Sequence, residues 1–524
     1  MKQYKLLSLL AGVSLMAFTS CDLEEMPTTS IGLDNNEEAV VNGVNVQQFE
    51  NGLYSSFRAT QYGVYSLVPE LICDGFNESI GSSNNYGSVH RTDASFTASD
   101  QDVESIWAGY YSAITNYNIF INDEYVKEQE AELEKLMQGD NEANPDAYAI
   151  RALGVAHFFR AYTYMQLARL FAKDYDPSTA ATDLCVPLVL EYNQEEKPAR
   201  ATVQAVYDQI KKDLEASELN LGAVGITGQV RSEAVTLDAV YALYARYCLD
   251  THDYPMAAQY ARTVVDSERY TLASKADEMK MEYTYDEGTE PIFQMAASLA
   301  ENGSGTNDAY TQAGPVPDGY EAFFPKGYYL APYYLPSFKV ISLYGDKDIR
   351  LNQWFAMDHG LLLGGHPPVG PAAGLAVPVF TKYLGNPALN SSIVPNARQH
   401  VKPFMIGEMY LILAEAALQA NDPTTAAQML NKLQTMRGAT PTAATMENIQ
   451  NEWFKETIGE GLRFSCLKRW GTGYSGRKAY IDDLVRSGAD NTEKVMPADD
   501  DHWLLPIPTY ERQLNDNLEQ NPGY

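Results

Sequence analysis

Apolar residues recur at helical spacing over 101–138, 146–172, 203–218, 233–268, 403–437 and 447–470, and each stretch predicts one or more amphipathic helices. The pattern is strongest over 146–172, where Leu153, Ala156, Phe159, Met165, Leu167 and Leu170 recur. Residues 46–72 mix aromatic and small side chains and predict a helix followed by a turn. Residues 73–100, rich in Gly, Ser and Asn, show no period and predict a long loop. Residues 285–400 carry many Gly, Pro and aromatic residues and predict loops and short strands.

One internal similarity organises the helices. Tyr241, Ala245, Ala257, Ala261 and Val264 have the same spacings as Tyr410, Ala414, Ala426, Leu430 and Leu433. Small residues at matched points let one helix pack closely on the next. Segments 250–255 and 421–423 fall where a turn belongs, and the pattern resembles the tetratricopeptide helical hairpin. Two copies are too few for a stable solenoid, so 146–172 and 203–218 are expected to supply weaker ones.

The N-terminus differs from all of this. Lys2 and Lys5 precede an apolar run from Leu6 to Phe18, then Thr19, Ser20 and Cys21. The run is too short for a membrane-spanning helix and has the layout of a secretory leader. A Cys directly after small residues at the cleavage point predicts a bacterial lipoprotein, acylated on Cys21 and tethered to a membrane by its lipid anchor. The expected division is a signal peptide over 1–20, the lipidated Cys and tether over 21–45, and one domain over 46–524. Within it, hairpins fall at about 146–270 and 403–470, with a loop-rich ligand-binding insertion at about 285–400.

The net charge of −31 argues against nucleic acid or an anionic lipid surface as partner. The four cysteines beyond Cys21 (Cys73, Cys185, Cys248 and Cys466) form no CxxC and are expected to be mostly buried thiols. No HExxH, GxSxG or P-loop pattern occurs, and the Gly-rich 360–368 stretch lacks the Lys that would cradle phosphate. His157 reads as a satisfied core histidine. Asp499, Asp500 and Asp501 read as a solvated acidic turn rather than a Ca²⁺ site. The expectation is a binding protein, not an enzyme, with no cofactor and no metal.

Sugars are held by aromatic faces with polar groups at the hydroxyls, displayed on positioned loops. Two segments have that composition, 74–91 and 302–354. The candidate ligand-binding residues are Asn77, Tyr86, Tyr320, Phe323 and Trp354.

The chain as a whole resembles the SusD/RagB family of Bacteroidetes outer-membrane lipoproteins. The resemblance rests on motifs in order: Cys21-Asp-Leu-Glu-Glu-Met-Pro27, Arg151-Ala-Leu-Gly-Val-Ala-His-Phe-Phe-Arg-Ala-Tyr162, Cys185-Val-Pro-Leu-Val189, the helix from Pro198 to Leu214, Glu408-Met-Tyr-Leu-Ile-Leu-Ala-Glu-Ala416, Glu460-Gly-Leu-Arg463 with Leu467-Lys-Arg-Trp-Gly471, and the terminal Gln520-Asn-Pro-Gly-Tyr524. Ser465 stands where Asp is commoner, and Glu452 is not followed by the usual Arg. The resemblance implies a mainly α fold, with tetratricopeptide-like hairpins as a scaffold and a loop-rich ligand-binding region drawn from the two segments above. It implies a lipoprotein on the outer membrane, facing the cell exterior, that captures a glycan and passes it to a SusC-like TonB-dependent transporter. The alternative within the family is a RagB-like protein that captures oligopeptide. A protein-docking scaffold is the reading from another class, and the long insertion between hairpins argues against it. Arg463 and Trp470 are expected to be structural, with Arg463 paired to the neighbouring Glu460.

Overall fold

The computed structural model describes residues 41–193, 195–300, 308–486 and 492–524. The leader, Cys21 and most of the expected tether lie outside the described residues. No helix among the described residues is long and apolar enough to cross a membrane.

The first region forms two helices, α1 (Val46–Ala59) and α2 (Val64–Leu71), where the sequence predicted one helix and a turn. Gly63, with φ 63°, sets the break between them. Next come strand β1 (Phe76–Glu78) and helices α3 (Gly87–Arg91), α4 (Gln101–Ile121), α5 (Glu124–Met137) and α6 (Ala147–Phe171). The segment read as a structureless loop therefore contains a strand and a helical turn. Asp100, Asp123 and Asp146 start α4, α5 and α6, each carboxylate accepting a backbone N–H of the first turn. Helix α6 is buried on nearly every side, which marks it as the centre of the scaffold. The paired strands β2 (Leu184–Pro187) and β3 (Arg200–Thr202) lead into α7 (Val203–Ala223), capped by Thr202.

The repeated pattern forms two matching hairpins. Helix α8 (Leu237–Asp250) turns into α9 (Tyr254–Val265), and a short α10 (Ala276–Tyr283) and strand β4 (Pro291–Met295) follow. Far along the chain, α13 (Ile406–Gln419) turns into α14 (Pro423–Met436) in the same manner. His252 and Asn421 both take φ 60° in the turn. Asp253 and Asp422 then cap the second helices, and their N–H groups return to Cys248 O and Ala417 O, both at 2.8 Å. The small residues Ala245, Ala257 and Ala261 and their counterparts Ala414, Ala426 and Leu430 are fully buried. Helix α9 packs against α13, so the hairpins stack although the insertion separates them in sequence.

The insertion is built from short pieces: β5 (Ala313–Pro315) with β6 (Tyr328–Leu330), β7 (Tyr334–Pro336), the helical turns α11 (Phe338–Ile341) and α12 (Ile349–Trp354), and β8 (Phe355–Ala356) with β9 (Val379–Phe380). Strand β10 (Val401–Met405) pairs with β4 and returns the chain to the scaffold. Helices α15 (Met446–Glu456) and α16 (Arg463–Arg469) follow. Too short to hold together by backbone pairing alone, the insertion pieces pack their aromatic residues Tyr310, Tyr334, Phe355 and Phe380 with Phe76 of β1 into a second core beside the main one. The four cysteines of the described region are free and buried.

Buried ion pairs join the parts. Arg160 holds Asp213 through two bonds of 2.9 and 2.6 Å, and His157 Nδ1 lies 2.7 Å from the same carboxylate, so His157 is a partnered core histidine. Arg437 reaches both Glu290 and Glu456, and Arg350 reaches Asp348, Glu452 and Glu456. One expectation is corrected here. Arg463 pairs with Asp74 at 3.0 and 3.1 Å, not with Glu460, whose partner is Lys382 at 2.7 Å. Starting α16 points Arg463 back toward the end of α2, a direction that local spacing does not reveal.

Replacing Arg437 with Met would leave Glu290 and Glu456 buried without their shared cation. The expected loss is about 3–5 kcal/mol in urea denaturation, and an unchanged midpoint would refute this role. Asp74 gives a pH signature. Burial works to raise its pKa, but Arg463 and Lys339 outweigh burial and hold it at about 2. A carboxyl depressed in the fold stabilises above its unfolded value of ~4 and loses that contribution as pH falls toward its folded value. Asp74→Asn is expected to flatten the fall of melting temperature between pH 4 and pH 2; a fall as steep as in the parent protein would count against it.

Candidate functional site

The two loop segments singled out by composition meet. Strand β1 lies antiparallel to β7, with Asn77 opposite Leu335 and Phe76 opposite Pro336. Beyond β1, Ser79 donates from its N–H to Tyr333 O at 2.8 Å and from its hydroxyl to Pro332 O at 2.7 Å. Tyr334 Oη donates to Asn85 O at 2.8 Å. Gly81 lies against the backbone of Leu363 and Gly364, where an added Cβ would come within 3.1 Å of Leu363 Cα.

This framework displays some candidate residues and hides others. Tyr320 is 40 % exposed, and Phe323 is half-buried beside it, with ring centroids 6.0 Å apart and planes at 46°. Both sit on a turn closed by the Tyr320 N–H to Pro317 O at 3.1 Å and the Phe323 N–H to Tyr320 O at 2.9 Å. Phe324 anchors that turn. It is buried, lies 5.8 Å from the Tyr329 ring, and presses on Gly360, where an added Cβ would sit 2.5 Å from its ring. The alternation follows from geometry: one aromatic must point inward to fix a turn that shows its neighbours to solvent. Half-buried Tyr328 and Tyr329 belong to the adjoining strand β6. Close by, Lys326 Nζ lies 2.8 Å from Asp358 and Tyr328 Oη 3.4 Å from His359. Burial, and then Lys326, lower the His359 pKa, which favours a neutral imidazole able to donate and accept.

Two candidates are corrected by burial. Asn77 has no exposed surface and lies beside a small space lined by Leu335, Val377 and Tyr480. Trp354 is also fully buried; Lys382 Nζ sits 4.1 Å from its ring centroid and Tyr283 lies edge-on at 5.3 Å. Its large face covers a buried ammonium and is closed to a ligand. Tyr86 is half-buried, at φ 56°, in the position just before α3. The polar residues around it hold the turn: Arg91 bonds Glu78 at 2.7 Å and Asn84 at 2.9 Å, and His90 Nδ1 lies 2.6 Å from Leu71 O.

A second exposed pair escaped the sequence reading. Phe338 and Tyr480 are each 42 % exposed, with ring centroids 6.2 Å apart, and Lys478 Nζ lies 5.3 Å from the Phe338 ring. Phe338 was inside the aromatic-rich segment, but Tyr480 comes from the C-terminal part. The only signal was an aromatic set between Lys478 and Asp482 in a stretch without helical period.

Two family models match the chain, one described as the SusD family over 380–524 and one described as starch-binding associating with outer membrane over 33–249. The chain belongs to the SusD/RagB family. No curated protein matches this family member. Among solved structures, a SusD superfamily protein from Bacteroides thetaiotaomicron superposes with a TM-score of 0.71 at 21 % identity, covering 91 % of this chain and 99 % of the other. A SusD superfamily protein from Bacteroides vulgatus gives 0.68 at 20 % identity, over 92 % and 99 % of the two chains. Surface glycan-binding protein A from Bacteroides fluxus gives 0.67 at 20 % identity, over 92 % and 100 %. At these identities the likeness concerns the fold, which is mainly helical with tetratricopeptide-like hairpins.

For this SusD/RagB chain the placement of Trp354 makes a clear prediction. Trp354→Ala is expected to lower stability by about 3–5 kcal/mol in chemical denaturation. A variant that kept full stability but lost ligand binding would return Trp354 to the binding face.

Proposed function

We propose that the protein is a cell-surface glycan-binding lipoprotein that captures oligo- or polysaccharide and delivers it to a SusC-type TonB-dependent transporter. The observation that carries this reading is the Tyr320–Phe323 pair, two aromatic rings displayed on an anchored turn, with Lys326 three residues further along and paired to the exposed Asp358. Such rings present flat apolar faces to the C–H surfaces of sugars while the polar groups meet hydroxyls. The family description, starch-binding associating with outer membrane, supports both ligand class and location. The name of the Bacteroides fluxus relative, a surface glycan-binding protein, points the same way.

Anchoring rests on the leader and on Cys21 as the acylated residue. In this reading the protein binds and hands over its ligand without chemistry of its own, and the transporter supplies the import step. Tyr86 stays in the proposal as a half-buried neighbour of the Asn-rich turn. Phe338 and Tyr480 join it as an additional aromatic surface.

The test is affinity electrophoresis and calorimetry against a panel of polysaccharides and mixed peptides. One glycan class is expected to bind, and replacing Tyr320 and Phe323 together with Ala is expected to weaken it at least about tenfold with an unchanged melting temperature. Binding to peptides alone would turn the reading to oligopeptide capture. Glycan binding indifferent to the double substitution would move the site away from this turn.

A further inference from the structure

An open groove of about 780 Å³ lies between α1, the end of β4 and the loop before α8, and none of its lining residues belongs to the Tyr320–Phe323 turn. Its charge runs against that of the chain. Arg58, Arg151 and Arg231 line it together with the carboxylates of Glu50 and Glu233, a local surplus of one positive charge in a protein of net charge −31. Gln47 and Arg58, at the two ends of the α1 wall, stand ~16 Å apart at the rise of an α-helix. The groove therefore admits an oligomer rather than a single small ion.

Two of the three guanidiniums are engaged. Arg151 holds Glu50 through its Nε at 3.0 Å and through a second bond, and Arg58 donates to Ala296 O at 2.9 Å. Arg231 differs. It is exposed, takes φ 54°, and its guanidinium has no hydrogen bond or ion pair among the described residues. A long side chain keeps a left-handed backbone only where its surroundings impose it, and here they do. The Arg231 N–H donates to Pro291 O at 2.9 Å, the Gln294 N–H to Ser232 O at 2.9 Å, and the Val235 N–H to the phenol of Tyr54 at 2.8 Å. The loop is thus pinned to β4 and to α1, with Arg231 on the groove wall. Strand β4 pairs with β10, and the loop takes Pro291 O and the Gln294 N–H, so the strand offers no continuous free edge to an extended peptide. Gln47, Asn51, Ser55 and Gln229 add exposed amides and a hydroxyl to the lining, groups that both donate to and accept from sugar hydroxyls.

We propose that this groove binds an acidic unit of a glycan, with a uronate carboxylate on the Arg231 guanidinium and neighbouring sugar hydroxyls on the amides of α1. A guanidinium pairs with a carboxylate through two parallel N–H···O bonds. The negative charge of the rest of the protein repels a polyanion, so the ligand is a largely neutral chain that carries isolated acidic groups. The choice of a glycan rests on the function proposed above. The groove and its preference for negative charge do not, since they share no residue with the displayed turn.

The experiment measures, by calorimetry on the purified protein, the binding of xylotriose bearing one glucuronate and of plain xylotriose. The acidic probe is expected to bind at least about tenfold more tightly than the neutral one. Arg231→Asn, which accepts the left-handed backbone, is expected to abolish that difference. The Tyr320→Ala/Phe323→Ala protein is expected to keep it, so failure of the displayed turn and failure of this groove are told apart. Should Arg231→Asn not fold, Arg231→Gln takes its place with the same expectation. The proposal is overturned if the two probes bind alike, if neither binds, or if the acidic preference survives in the folded Arg231 variant. It is equally overturned if the preference disappears with the Tyr320 and Phe323 substitutions, which would place the acidic unit at the turn.

Discussion

The buried guanidinium of Arg437 is the joint on which the architecture turns. It caps the second repeated hairpin and bonds Glu290 beside β4, Glu456 at the end of α15, and Ala273 O. Glu456 in turn accepts from Arg350 of the insertion at 2.6 Å. The Ile349 N–H donates to Arg437 O at 2.9 Å, and Gly438, at φ 71°, lets the Lys347 carbonyl approach so closely that a Cβ would stand 2.4 Å from it. Taking so many charges out of water is favourable only as a closed set, since loss of one member strands the rest. The insertion has no long helix or broad sheet to hold its shape, and this set fixes it to the scaffold.

A rigid frame under short loop pieces is a sound way to build a binding face. The three-residue turns of the hairpins, with a left-handed residue and then an Asp cap, leave the helices little freedom at their joins. The insertion then uses aromatic residues twice. Tyr310, Tyr334, Trp354 and Phe380 fill the second core, and Tyr320 and Phe323 stand out from an anchored turn. The same residue type thus serves packing and display, and the abundance of Tyr reflects both. Solved structures near 20 % identity share the fold.

Much of the scaffold was legible in the chain. Periodicity placed the major helices within a few residues, and the matched spacings of Tyr241–Val264 and Tyr410–Leu433 marked both hairpins, because close packing demands small residues at fixed intervals. The candidate face was legible only in part. Composition found the two segments that β1 and β7 bring together, yet it could not separate Tyr320 and Phe323, which face solvent, from Trp354 and Asn77, which do not. Irregular segments lack a period, so nothing local says which side of the chain is inside. Phe338 and Tyr480 show the converse, a pair made from residues too far apart to be associated by spacing.

By itself the sequence determined the helical class, the repeated hairpins and the acidic character, since each depends on short-range order or on simple totals. Tertiary structure alone decided the pairing of Arg463 with Asp74, the burial of Trp354 over Lys382, and the meeting of Phe338 with Tyr480. Those outcomes depend on contacts between residues separated along the chain by distances no local pattern spans, and a buried charge takes its partner from whatever the folded chain brings within reach.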